Sequence, residues 1–221
     1  EIRLSLVGSE MCIRDSYNTA IGGQALSSSN ASENVAVGYQ AMDSATTANN
    51  CVAIGMKAMD DLTTGVGNIA IGRYALGDLT TGTGCVAIGA YDGTAQPALR
   101  VNTANQNTAI GSGALSANTT GDRNTAVGYG ALDANTTGTL NTAVGYNSMS
   151  NGGTAAEQNC AVGMETLRDI TTGQYNSAIG RSAGEQITTG SNNSFIGRNA
   201  GRSGSPGGQV TTASNLSLIH I

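Results

Sequence analysis

The chain has 221 residues, of which 32 are Gly, one is Phe, two are Pro and none is Trp; 39% is apolar, 11% is charged and the formal net charge is -5. So few aromatics exclude a large aromatic-filled core, and so little charge excludes a solvated disordered chain. The acidic balance argues against nucleic acid as a main partner, since phosphate binding needs clustered Lys and Arg, and no apolar run approaches the ~18 residues of a membrane-spanning helix.

Residues 1–16 lack the pattern that the chain carries from residue 17 onward. Glu10-Met11-Cys12-Ile13-Arg14-Asp15 is the translation of GAG ATG TGT ATA AGA GAC. The chain ends Leu216-Ser217-Leu218-Ile219-His220-Ile221, the translation of CTG TCT CTT ATA CAC ATC. These are opposite strands of one transposase tag, so 1–16 and 216–221 are expected to be translated adapter and are set aside in reading the fold. That sets aside the one His, His220, and Cys12. The stretch 17–215 is then expected to be an internal piece of a longer protein.

Across 17–215 a motif Asn-x-Ala-[Ile/Val]-Gly recurs. Its Ala falls at 20, 36, 53, 70, 87, 109, 126, 143, 161 and 178, and Phe195 takes the eleventh slot. Most spacings are 17 residues. The residue after the Ala is always Ile or Val, from Ile21 to Ile196, which suits a short strand position facing inward. A Gly comes next every time, from Gly22 to Gly197, and predicts positive φ or close backbone approach. An Ala-Leu or Ala-Met pair, as in Ala41-Met42 and Ala131-Leu132, supplies a second inward position. A Thr-Thr-Gly corner completes six units, as in Thr63-Thr64-Gly65.

One such unit cannot fold alone. Burying its two core side chains contributes roughly 1.5–3 kcal/mol each, while ordering the backbone costs about 1–2 kcal/mol per residue. Coils must stack, which is the logic of a solenoid. The expected fold is mainly β: a repetitive parallel β-roll of about eleven 17-residue coils over 17–201. A one-turn helix at the x-x-Ala-Leu segment is the competing local reading. The one long spacing, over 91–106 with Pro97 inside, is expected to be a corner insertion. Residues 202–215 read as a Gly-rich loop leading to a further coil, with Val210-Thr211-Thr212 resuming the Thr corner.

Repeated N-x-A-[IV]-G-x-x-A-L units resemble the head repeats of trimeric autotransporter adhesins and repeat regions of bacteriophage tail fibres. The resemblance covers 17–201; the period is longer than is typical of adhesin heads. It implies a left-handed parallel β-roll, a homotrimer, and adhesion at a virion or bacterial cell surface, to a host receptor or glycan.

No catalytic constellation is present, so the chain is expected not to be an enzyme. Without a His in 17–215 there is no His-based triad or His-metal site, and the one Lys, Lys57, sits in no phosphate-binding loop. No cofactor or metal is expected, and no membrane insertion. Cys51 and Cys85 share the slot that is normally Asn, two coils apart and too far for a disulfide; Cys160 holds the neighbouring slot. They read as small half-buried residues, with inter-chain contact as the sharper alternative. Asp43, Asp60, Asp61, Asp78 and Asp133 read as a solvated acidic edge. The Thr rows raise ice binding as an alternative, weakened because adjacent Thr point to opposite faces. The most variable slot, three after the Ala, holds Tyr39, Arg73, Tyr129, Tyr146, Arg181 and Arg198. It is the candidate partner-contact edge, for a receptor or glycan.

Overall fold

The computed structural model describes residues 17–27, 30–91, 93, 96–100, 103–151, 155–202 and 211–220. Over these the chain winds into a β-solenoid with one three-residue strand per coil. The strands are β1 (Thr19–Ile21), β2 (Val35–Val37), β3 (Val52–Ile54), β4 (Ile69–Ile71), β5 (Val86–Ile88), β6 (Thr108–Ile110), β7 (Thr125–Val127), β8 (Thr142–Val144), β9 (Cys160–Val162), β10 (Ser177–Ile179), β11 (Ser194–Ile196) and β12 (Ser217–Ile219). All twelve pair in parallel and in sequence order into one sheet. Ala stands on Ala from coil to coil, and the register survives the insertion, with Ala87 opposite Ala109.

Backbone groups are satisfied between coils. The Val52 amide donates to the Asn68 carbonyl at 2.9 Å, and the Gly55 amide donates back to Val37 at 2.7 Å. The same holds at the far corner, where Gln40 donates to Gly23 at 2.9 Å and Met42 to Ala58 at 3.0 Å. No helix forms among the described residues. The x-x-Ala-Leu segment is instead a series of turns in which Gln40 (φ 54) and Met42 (φ 53) are both left-handed, as are Lys57 and Met59 one coil on. A right-handed helix cannot contain them, and their amides are already committed to neighbouring coils.

The strand Ala points into the coil, and Ala36, Ala53, Ala126 and Ala143 are fully buried. The Leu/Met position faces inward as expected; Met42, Met59, Leu76, Leu115, Leu132 and Leu167 are fully buried, with Leu62, Leu79, Ile170 and Ile187 in a second column. The Ile/Val position does not face inward. Ile21 is 55% exposed, Ile54 39% and Ile179 50%. Side chains alternate along a strand, so only one strand position can enter the coil. The lumen opposite is filled by Leu and Met in most coils, which leaves room for a methyl group; where Gly184 and Gly201 take the Leu/Met position, Phe195 fills the space instead. The β-branched residues pack against their own equivalents along the outside of the stack, about 4.8 Å apart.

The Gly after the Ile/Val has both properties that its recurrence predicts. Gly128 has φ +133, and a Cβ there would lie 2.5 Å from the Gly145 carbonyl oxygen.

At the end of the chain, Ser217-Leu218-Ile219, within the stretch read as translated adapter, forms β12. Leu218 stands on Phe195, and Ser194 donates to the Leu216 carbonyl at 2.7 Å. The triplet meets the out-in-out alternation, and the open edge of β11 pairs with any strand that does. Thr211 resumes the Thr corner, accepting from the Thr188 amide at 2.7 Å. Residues 1–16 and 203–210, including Val210, lie outside the described residues.

Candidate functional site

Inside the coils, the recurrent Asn builds a ladder whose role the sequence did not disclose. Asn107, Asn124, Asn141, Asn159, Asn176 and Asn193 are buried. Each Oδ1 accepts the backbone amide at the equivalent position one coil on: Asn107 from Asn124 at 2.8 Å, Asn124 from Asn141 at 3.0 Å, Asn141 from Asn159 at 3.1 Å, and Asn193 from Leu216 at 3.0 Å. Each Nδ2 donates to a corner carbonyl, Asn124 to Gly138 at 2.8 Å and Asn141 to Ala156 at 2.7 Å. The side chain thus ties the strand to the Thr-Thr-Gly corner. The one available signal was a polar residue held constant beside an apolar pattern.

Cys51 and Cys85 replace this Asn. Their thiols reach the corner carbonyls of Gly65 at 3.6 Å and Ala104 at 3.4 Å. Both are fully buried rather than half-buried, which removes them from any inter-chain contact, and burial pushes both thiols up from their ordinary pKa. Cys160 sits on β9 at an outward strand position and is half-buried. Cys51 and Cys85 are therefore expected to resist a thiol reagent in the native chain, reacting about a hundredfold slower than in urea, because they need a coil to open. Mass mapping of the labelled peptides checks this; rapid native labelling of Cys51 would overturn the lumen placement.

The Thr corners are inter-coil bonds. The first Thr hydroxyl donates to its counterpart's carbonyl one coil on, as in Thr63 to Thr80 at 2.9 Å and Thr119 to Thr136 at 2.9 Å. These hydroxyls are committed to the protein, which further weakens the case for ordering water on that row. Asn118 and Asn135, which form sequons, are fully buried and hydrogen-bonded to one another at 2.9 Å.

The acidic edge is partly paired. Asp43 and Asp133 accept from the hydroxyls of Ser27 and Ser116. Asp60 pairs with Lys57 at 3.4 Å and Asp78 with Arg100 at 3.2 Å. Burial, then the charge of Asp61, raises the Asp60 carboxyl above its ordinary pKa, against the pull of Lys57. Glu185, the one buried carboxylate among the described residues, is gripped by Arg168 at 2.6 Å and Arg202 at 2.8 Å. Among the described residues no group of three or more His, Cys, Asp or Glu could hold a metal ion, and no helix is long and apolar enough to cross a membrane.

The candidate contact edge is solvent-facing throughout. Tyr39, Arg73, Tyr129, Tyr146, Arg181 and Arg198 are all exposed, in equivalent positions after the strand. Tyr129 and Tyr146, on successive coils, stack with ring centroids 5.6 Å apart and planes 12° apart. Arg73 lies over two tyrosine rings, 5.1 Å from Tyr74 and 5.6 Å from Tyr91.

The outer face of the sheet is continuous along the stack. Every strand presents its first and third residues outward, and no outward residue in β1 to β12 is charged. The third position is Ile or Val in all twelve. The first is Val or Ile in β2 to β5 and Thr, Ser or Cys elsewhere. An uncharged face with a continuous aliphatic column is the composition of an interface core rather than of a solvated surface. No protein-family model, curated protein or solved structure matches the chain.

Proposed function

We propose that the chain is a non-enzymatic structural and adhesive repeat module, a piece of a fibre shaft or head of the kind found in phage tail fibres and bacterial surface adhesins. It assembles as a homotrimer through the outer face of its sheet, at a virion or cell surface. The observation that carries this reading is the uncharged Ile/Val column running over β1 to β11, with Ile54, Ile71 and Ile110 still 37–39% exposed in the single chain. Three chains around an axis would cover that column and leave the Tyr/Arg edge facing out. The two outward positions of each strand give each chain one strip for each of two neighbours. The repeat pattern supports the same choice, since it resembles modules that work as trimers.

The test is the mass in solution. The chain is expected to be a trimer by light scattering, and Ile110→Lys with Val127→Lys is expected to shift it to monomer while the β spectrum persists. Burying each of these side chains contributes up to about 1.5–3 kcal/mol, lost in all three chains. A stable monomer at high concentration, or a trimer indifferent to the two lysines, would end this reading.

A further inference from the structure

The repeat makes a convex rod, and the insertion after β5 breaks its regularity. Beside it lies a cleft of about 210 Å³ lined by Tyr74, Tyr91, Gln96, Pro97 and Arg100. Two coils and the insertion contribute to it. Tyr74 comes after β4, Tyr91 after β5, and Gln96 to Arg100 return the chain toward the Ala98-Leu99 core position. The register of β5 on β6 is unchanged, so the added residues do no work in the sheet.

The lining has a specific chemistry. The rings of Tyr74 and Tyr91 meet edge to face, with centroids 6.5 Å apart and planes at 83°, which forms an aromatic corner. Arg73 is held against both rings at 5.1 and 5.6 Å. Lys57 approaches the Tyr74 ring at 6.0 Å. On the other side Arg100 donates to Gln96 Oε1 at 3.0 Å and pairs with Asp78 at 3.2 Å. The cations near the cleft are thus offset by carboxylates or laid over rings. What the cleft offers is aromatic ring surface, an amide and a guanidinium whose charge Asp78 compensates from behind. An aromatic face takes the apolar C–H face of a sugar ring, and a compensated guanidinium–carboxylate pair with an amide donates to and accepts from neighbouring hydroxyls. The volume suits one ring, not an extended ligand.

We propose that this cleft binds one neutral hexopyranose unit of a surface glycan, stacked in the Tyr74–Tyr91 corner with its hydroxyls on Gln96 and Arg100. The site rests on the adhesive part of the proposed function and places it at the insertion rather than along the whole Tyr/Arg edge. A small open site holding one ring binds weakly, and three copies on one fibre raise the effective affinity by linkage.

The experiment is saturation-transfer NMR on the full chain with methyl glucoside, methyl galactoside, methyl mannoside and methyl glucuronide. At least one neutral glycoside is expected to bind, with transfer strongest to its ring C–H protons. Tyr91→Ala and Gln96→Ala are each expected to weaken binding about tenfold, while Tyr146→Ala, on a distant coil, leaves it unchanged. Neither Tyr91 nor Gln96 belongs to the buried core, and a matched melting curve confirms that each variant is folded. No binding by any neutral glycoside, binding by the glucuronide alone, or undiminished binding to folded Tyr91→Ala would each overturn the site. Assembly is read separately by mass: a monomer that still binds overturns the trimer and leaves the cleft standing.

Discussion

Replacing Gly128 with alanine is expected to destabilise the solenoid by about 3–5 kcal/mol, combining backbone strain with overpacking. Gly128 has φ +133, and its added Cβ would lie 2.5 Å from the Gly145 oxygen and 2.7 Å from the Gly145 carbonyl carbon. Neither atom can move alone, because Gly145 stands in the same relation to Gly163, with φ +137. The strain would pass along the column. Gly67→Ala is the matched comparison: its φ is +69 and nothing lies within 4 Å of the added Cβ. It should cost only the left-handed penalty, about 1–2 kcal/mol. Urea unfolding of both variants measures the difference. Equal midpoints would mean that the close approach of successive coils at Gly128 is wrong. Because stability in a stacked array is a sum over neighbours, the Gly128 variant should also lose cooperativity, with the two halves of the rod unfolding apart.

Asn141→Ala is expected to cost about 2–5 kcal/mol. It strips the acceptor from the buried Asn159 amide, 3.1 Å from Asn141 Oδ1, and the donor from the Ala156 carbonyl, 2.7 Å from Nδ2. Each buried group left unpaired costs roughly 1–3 kcal/mol. Asn141→Cys should cost less than the alanine change, because Cys51 and Cys85 already serve in this slot with the thiol on the corner carbonyl. Asn141→Asp should be the most pH-sensitive. Its charged form would face the Ala156 carbonyl in the lumen, so burial raises its folded pKa above the unfolded value. Its stability is then greatest at low pH, where the protonated carboxyl can donate, and falls as pH rises through the folded pKa. Stability curves at acidic and neutral pH check the sign. An aspartate variant less stable in acid than at neutrality, relative to the parent, would show that Nδ2 is not the group that matters.

Reading the repeat settled more of the backbone than of the side-chain directions. Gly22 to Gly197 could be assigned a backbone role because a residue without Cβ recurs only where a Cβ does not fit. Ala41-Met42 and Ala131-Leu132 could be placed inside because a large flexible apolar group at a fixed interval needs a continuous lumen. Ile21 and its equivalents were placed on the wrong side. Alternation fixes which residues share a face, and nothing local says which face is closed. The helical alternative at x-x-Ala-Leu failed for a related reason. Ala and Leu favour helix when the chain is free to bond to itself, but Met42 bonds to Ala58 one coil on and takes φ 53 to do so.

The candidate edge divides in the same way. Tyr39, Arg73, Tyr129, Tyr146, Arg181 and Arg198 were legible as an exposed row from variability at one slot. The stacking of Tyr129 on Tyr146 arises from their being one coil apart, and a known period makes that readable. The cleft was not readable. Tyr74 and Tyr91 belong to successive coils, and Gln96 to Arg100 to an insertion whose path no period describes.

What this sequence determined by itself is the existence, period and stacking of the coils: one unit cannot bury enough to fold, so like must sit on like. What only the tertiary structure decided is direction. Closing the coil puts the Ala methyl and the Asn amide inside and leaves the Ile/Val column outside. The inward strand position meets the Leu/Met column across a narrow lumen, so in most coils it holds a methyl group, and the Ile/Val next to it in the alternation is turned outward.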